Sequence, residues 1–350
     1  LGSGPRIAID AMGGDLGPAA VVAGACRALR ARSDLSFIFF GDEALIAPEL
    51  ARFAELAPAA RVEHCADMIK GDEKPTQAMR RAKTTSMGRA VAAVKAKEAD
   101  AVVSGGNTGA LMAMSKLALR TLPGIDRPAL AGLMPTLGDN DTVMLDLGAN
   151  TESDANNLIQ FALMGAAYAR VVLELEAPRV RLLNIGSEEQ KGTDELKDAA
   201  AVLKAAAATL GMRFDGYIEG HQMSRGDVDV IVSDGFSGNI ALKTMEGTAR
   251  YIGDLIRRAF ANSIRSKIGF AISRPATQLL RHHLDPNNHN GGVFLGLNGL
   301  VVKSHGGAND IGLANAILVA ERMARQDLTR RITDDLAQVS ADHLGKVAAQ

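Results

Sequence analysis

The sequence predicts a doubly wound α/β fold, with a mostly parallel sheet covered by helices on both faces. Two observations carry this expectation. Short β-branched or apolar runs alternate with longer stretches of helical period. The runs are apolar at every position rather than at every second one, as in strands buried on both faces. Ile7-Ala8-Ile9-Asp10 reads as the first strand, and helix-period sequence follows from Ala19 to Arg32. Phe37-Ile38-Phe39-Phe40 reads as the second strand, closed by Gly41-Asp42. Ala101-Val102-Val103, Val143-Met144-Leu145, Arg181 to Ile185 and Val228 to Val232 repeat the theme. No internal repeat, low-complexity tract or clear linker divides the chain, so one domain over residues 5–330 is expected. Leu1-Gly2-Ser3-Gly4 reads as a cloning remnant, and residues 331–350 as a C-terminal tail.

Composition narrows the function classes. Apolar residues make up 47% of the 350, which is ordinary for a globular protein. The net charge of −1 supplies no field that favours nucleic acid, so any charged partner must use a local patch. No apolar run reaches the roughly 18 residues of a membrane span, and no basic leader precedes an apolar segment. Cys26 and Cys65 have neither metal-ligand spacing nor a disulfide framework. A cytoplasmic location is expected.

The strand ends point to chemistry. Asp10 runs into Ala11-Met12-Gly13-Gly14-Asp15, and Ser104 into Gly105-Gly106-Asn107-Thr108-Gly109-Ala110. Asp146 runs into Leu147-Gly148-Ala149-Asn150, Ile185 into Gly186 to Gly192, and Asp234 into Gly235-Phe236-Ser237-Gly238-Asn239. In open α/β sheets, ligands bind beyond the carboxyl ends of the strands. Glycine-rich turns there free backbone N–H groups at helix N-termini, which suits an anion. One such loop is ordinary turn geometry, whereas five together point to a shared anionic ligand.

These residues also resemble a known family. Ile7 to Asp15, Asp72-Glu73-Lys74-Pro75, Ser104 to Ala110 and Pro123 to Pro128 are similar to the PlsX phosphate acyltransferases of phospholipid synthesis. So are Leu183 to Gly186 with Lys191-Gly192, Asp234 to Asn239 with Ala241-Leu242-Lys243, Leu295 to Gly299, and His305-Gly306. The resemblance runs from about Arg6 to about Arg325. It departs from the family at Gly105, where alanine is frequent, and at Gly307 to Asp310. It implies a Rossmann-like α/β/α sandwich similar to the phosphotransacetylase and isocitrate dehydrogenase group. The implied reaction takes acyl-[acyl carrier protein] and inorganic phosphate to acyl phosphate and free carrier. The implied assembly is a homodimer, with a glycerol-3-phosphate acyltransferase as downstream partner.

Phosphate is already a nucleophile and a thioester is already activated, so the protein need only align the two and stabilise the oxyanion. No nucleophile-elbow sequence is present, and neither cysteine sits in a glycine-rich strand-end loop, so direct attack by phosphate is expected. Lys191, between glycines, is the candidate to contact phosphate or polarise the thioester. Asn239 could donate to the oxyanion or cap a helix starting near Ile240. Gly13, Gly14, Gly106, Asn107, Thr108 and Gly109 are candidates to cradle phosphate. Asp10 and Asp15 could orient Lys191 or a phosphate-bound water, with Asp234 as a further supporting carboxylate, and His305 could deliver a proton or bind phosphate. No cofactor is required. No metal site is expected either, since His282, His283 and His289 lack a matching acidic or thiol set. Competing readings are a phosphotransacetylase acting on acyl-CoA, a metal- and NAD-dependent dehydrogenase using Asp10, Asp146 and Asp234, and a non-catalytic membrane scaffold.

Residues 240–285 predict a protruding helical pair. Leu242, Met245, Ala249, Ile252, Ile256 and Ala259 recur at helical spacing and need a partner, either the chain's own sheet or a second copy. The first helix is expected to end near Lys267. Ile268-Gly269-Phe270-Ala271-Ile272 would then form an apolar tip before a helix restarting at Pro275. Arg250, Arg257, Arg258, Arg265, Lys267, Arg274 and Arg281 surround that tip. Such a surface suits anionic lipid or an acidic carrier protein.

Overall fold

Alternation along the first strand already separates two layers. Ile7 and Ile9 enter one apolar core, and Ala8 enters the other. A computed structural model describes residues 4–342, without the side chains of Arg281, His282 and residues 338–342. Most of the expected leading remnant and the end of the expected tail lie outside the described residues.

The first half runs β1 (Arg6–Asp10), α1 (Gly17–Ala31), β2 (Ser36–Gly41), α2 (Glu43–Leu50), β3 (Ala60–His64), α3 (Pro75–Arg80), α4 (Ser86–Lys95), β4 (Ala101–Ser104) and α5 (Thr108–Leu119). The middle adds β5 (Ala129–Met134), β6 (Thr142–Leu145), α6 (Ala155–Val172), β7 (Arg179–Asn184), α7 (Asp194–Ala206), β8 (Arg213–Glu219) and β9 (Val230–Val232). Then come α8 (Gly235–Ala261), α9 (Ile264–Ile272), α10 (Arg274–Leu284), β10 (Gly292–Leu295), β11 (Leu300–Lys303), α11 (Asp310–Arg325) and α12 (Leu328–Asp342).

The strands join in the order β3-β2-β1-β4-β11-β10-β5-β6-β9-β7-β8. The block β3 to β11 is parallel, and so is the block β6 to β8. Antiparallel pairings of β10 with β11 and β5, and of β5 with β6, make the two blocks run in opposite directions. β5 is the seam: Ala129–Ala131 pair with β10, and Gly132–Met134 pair with β6. The α/β/α sandwich with a mostly parallel sheet is therefore present.

The core explains why these helices lie where they do. α6 is buried along nearly all its length, with Phe161, Met164 and Tyr168 fully inside. Its N-terminus is closed by a reciprocal capping box between Asp154 and Asn157. α12 docks on α6 through buried Leu328 and Ile332 and through the Arg170–Asp335 ion pair. The expected boundary at residue 330 thus falls inside a packed helix, not at the start of a tail.

The protruding segment also differs from expectation. α8 starts at Gly235, capped by Asp234, whose side chain accepts from Ser237 N at 2.8 Å, so Asn239 is not the cap. α8 ends at Ala261, where Ser263 caps a separate helix through Ser266 N. Ile268 to Ile272 therefore lie on α9, and the pair is a three-helix arm. Phe270 turns back onto Phe260, with ring centroids 5.1 Å apart, while Ile268 and Ile272 face out. Pro275 sits in the first turn of α10, where its missing N–H is harmless.

Candidate active site

The loops that follow β4, β11, β6 and β9 converge on the β5–β10 seam. Between them lies a cleft of about 330 Å³. Thr108 and Gly109 line it from the β4 loop, and Lys303, Ser304 and His305 from the end of β11. The opposing block contributes Leu147 to Ala149, together with Asn239, Leu242 and Lys243 on the first turns of α8. Loops that follow strands of both blocks therefore line this one space, although the blocks run in opposite directions.

Glycine makes the α8 root possible. A Cβ on Gly238 would stand 2.0 Å from Asp146 O, and one on Gly235 would stand 2.3 Å from Asn150 O. These two positions are one helical turn apart, so one bare face of α8 presses on the Asp146–Asn150 loop and aims Asn239 and Lys243 into the cleft. Asp146 holds that loop in turn. Its carboxylate accepts from Leu130 N, Ala149 N, Asn150 N and Asn150 Nδ2 at 2.7–3.0 Å. Burial pushes its carboxyl above the usual range, and those donors oppose the shift.

On the other wall, Asp10 is buried and accepts from Ser86 Oγ at 2.6 Å and Ser104 Oγ at 2.7 Å. Burial raises its carboxyl, against the two serines and the charge of Lys303. Lys303 is the half-buried cation of the site. Its Nζ donates to Gly105 O at 3.3 Å and to Ser304 O. Burial pulls its ammonium down to about 8; Asp10 and Asp15 oppose this, and Lys243 adds to it. His305 is partly exposed and held below the usual imidazole range, first by desolvation and then by Lys243, Lys303 and Arg250, with Glu246 opposing. Its Nε2 is 3.9 Å from Glu246 Oε1, and Lys243 Nζ is 2.9 Å from Glu246 Oε2. Buried Asn290 fixes the His305 loop, accepting from His305 N at 2.9 Å and donating to Ser304 Oγ at 2.7 Å. His289, at the cleft edge, is raised by its 2.9 Å contact with Asp141.

The sequence candidates divide. Asn239, His305, Thr108 and Gly109 meet in the cleft. Asn107 is spent as a cap: it accepts from Ala110 N at 2.9 Å and donates to Gly71 O at 2.8 Å and Glu73 O at 3.1 Å. The Gly106 N–H goes to Ser104 Oγ at 3.1 Å. Neither leaves a ready donor for an anion. Gly13 and Gly14 pack beneath the cleft, where a Cβ on Gly13 would stand 2.6 Å from Asp10 Oδ2. Asp15 N donates to Gly306 O at 2.7 Å, locking the β1 loop to the β11 loop. Lys191 is exposed on the loop after β7 and is absent from the cleft lining, so Asp10 and Asp15 do not orient it. β7 lies outside β9 in the sheet, which carries its loop away from the seam. Asp10, Asp146 and Asp234 are each engaged separately. Among the described residues, no group of three or more His, Cys, Asp or Glu side chains is placed to hold a metal ion. The residues sequence reasoning missed are Lys303, Lys243, Glu246 and Asn290.

The fatty acid synthesis protein family model matches residues 5–331. A phosphate acyltransferase of Erythrobacter litoralis is 64% identical over 335 residues, covering 96% of this chain and 94% of that protein. The chain belongs to the phosphate acyltransferase family. A second member, from Rhodospirillum rubrum, is 49% identical and covers 95% of each chain. In fold, the family member described here is similar to a phosphotransacetylase from Streptococcus pyogenes, with a TM-score of 0.60 at 19% identity over 93% of this chain and 95% of that one. The EutD phosphotransacetylase from Staphylococcus aureus gives a TM-score of 0.56 at 18% identity, over 92% and 95% of the two chains.

Proposed function

We propose that the protein transfers a fatty acyl group from acyl carrier protein to inorganic phosphate and so feeds phospholipid synthesis. The observation that carries this reading is the facing of Lys303 and His305 on one block by Asn239 and Lys243 on the other, in a chain of this family. Lys303 and Lys243 supply the charge that binds hydrogen phosphate. A phosphate oxygen attacks the thioester carbon, a C–O bond forms, and the C–S bond breaks. The Asn239 amide donates to the carbonyl oxygen as it becomes an oxyanion. His305, neutral at neutral pH, accepts the phosphate proton and passes it to the leaving sulfur. Phosphate binding, expected of Lys191, falls to Lys303 in this reading.

The arm supports the partner readings. Tyr251, Ile252 and Leu255 of α8 are exposed and suit pairing with a second copy. Ile268 and Ile272, with Arg265 and Lys267 beside them, suit an anionic membrane surface, and the same basic rim suits an acidic carrier protein. No described helix is long and apolar enough to cross a membrane.

The test is thiol release from acyl carrier thioester with and without phosphate, repeated with acyl-CoA. Phosphate-dependent release with acyl phosphate as product, faster from the carrier protein, is expected. Equal release without phosphate indicates a hydrolase. Preference for acyl-CoA indicates a phosphotransacetylase.

A further inference from the structure

A second cavity, of about 360 Å³, opens from the cleft and shares Leu133, Leu242, His289 and His305 with it. Its walls beyond that junction are mainly apolar: Pro135 and Leu137 on one side, Met245 and Ala249 of α8 on another, Leu280 and Leu284 of α10 on the third. Polar side chains among them turn to protein partners. Glu246 turns to Lys243, Thr136 Oγ donates to Asn140 O at 2.7 Å, Ser224 Oγ faces Met245 Sδ at 3.8 Å, and the His283 ring lies edge-on to His289 at 6.4 Å. A polar ligand entering here would lose water and gain little in return. An alkyl chain would gain about fourfold in affinity for each buried methylene.

The cavity does not end blindly. Ala249, Leu280 and Leu284 also line a third space of about 650 Å³ between α8 and the α9–α10 helices, with Phe270 on its wall. Polar cleft, apolar chamber and inter-helix space thus follow one another, with Ala249 and Leu280 at the second junction. The apolar stripe of α8 finds part of its partner here: Leu242, Met245 and Ala249 face the chamber, and Ile256 faces the space beyond.

We infer that the chamber holds the alkyl chain of the acyl donor, and that Ala249 and Leu280 set how long a chain passes beyond it. The inference rests on the acyl transfer proposed above. It places the thioester at His305 and Asn239 and runs the chain along α8 into the arm. A small residue at Ala249 admits long chains; a large one there would stop them at the chamber.

The test compares kcat/KM for octanoyl and hexadecanoyl carrier-protein thioesters in the parent protein, Ala249→Phe and Leu280→Trp. The two variants enter the junction from different helices, so a folding defect in one, seen by circular dichroism, leaves the other. The hexadecanoyl-to-octanoyl ratio is expected to fall at least about tenfold in the folded variants. An unchanged ratio in folded variants overturns the inference. Phosphate dependence is read separately. If thiol release ignores phosphate but the ratio still falls, the transfer reading fails and the chamber stands. If no thiol is released at all, fluorescence binding of dansylundecanoate decides: weaker binding in Ala249→Phe upholds the chamber, and unaltered binding removes it.

Discussion

The two ends of α8 are built on different principles. At its root, Gly235 and Gly238 are buried and touch the Asp146–Asn150 loop at distances that exclude a side chain. From Asn239 to Ala261 no residue is fully buried, and Tyr251, Ile252 and Leu255 are exposed. One helix is thus anchored by backbone contact at the site and left open along its outer length. The root fixes where Asn239 and Lys243 enter the cleft. The outer length is available for chains, membranes or a second copy, with little consequence for the fold.

The contrast can be broken at its strongest point first. Lys303→Met removes the half-buried cation opposite the root, and kcat/KM for acyl transfer should fall about 10²–10³-fold, with Asn239→Ala close behind. Lys191→Ala is the comparison. A loss as large as that of Lys303→Met would move the phosphate site to the β7 loop. Gly238→Val should cost about 3 kcal/mol in urea unfolding, because its side chain must displace the Asp146 carbonyl. A loss below about 0.5 kcal/mol would mean the root is not anchored as described.

The pH profile sharpens the comparison more gently. Lys303 carries its charge below about 8 and loses it above, so kcat/KM with respect to phosphate should decline as pH rises through about 8. Lys303→Arg, which stays charged, should move that limb upward; an unmoved limb would assign it to another group. The smallest effect on the fold is expected at the tip. Ile268→Glu with Ile272→Glu should change unfolding free energy by less than about 0.5 kcal/mol, since both side chains already face water. The same change should abolish sedimentation with anionic liposomes. Liposome binding that survives, or that the parent protein lacks, removes the membrane role.

What the sequence disclosed follows physical rules. Strands β1, β2, β4, β6, β7 and β9 were legible because they carry apolar runs. β3, Ala60-Arg61-Val62-Glu63-His64, and β8, Arg213 to Glu219, sit at the sheet edges, where solvent admits charge and the run disappears. β5 holds Gly132 at the changeover between its two pairings. β10 and β11 are four residues each and are separated by glycine turns, too short a pair of runs to stand out as strands. Missing β11 hid Lys303, although Leu300-Val301-Val302 followed by Lys303-Ser304-His305-Gly306 has the same strand-to-loop grammar as the ends that were read. Asn239 and His305 could be picked out as cleft-lining residues because each follows an apolar strand within a few residues. Lys191 drew the same expectation because its loop has the same composition, but the strand order sets that loop apart from the cleft.

The antiparallel seam has a consequence for tolerance to change. Lys303 and Asn239 belong to blocks that run in opposite directions, and β5 is the strand that pairs with both sides. A slip of one residue in either pairing would displace one wall against the other by about 3.4 Å and turn its side chains over. That is more than a hydrogen bond spans. Insertions in the arm or at the sheet edges can be absorbed locally. An insertion within Ala129–Met134 would detune the spacing between the two walls while leaving Lys303, His305 and Asn239 all in the sequence.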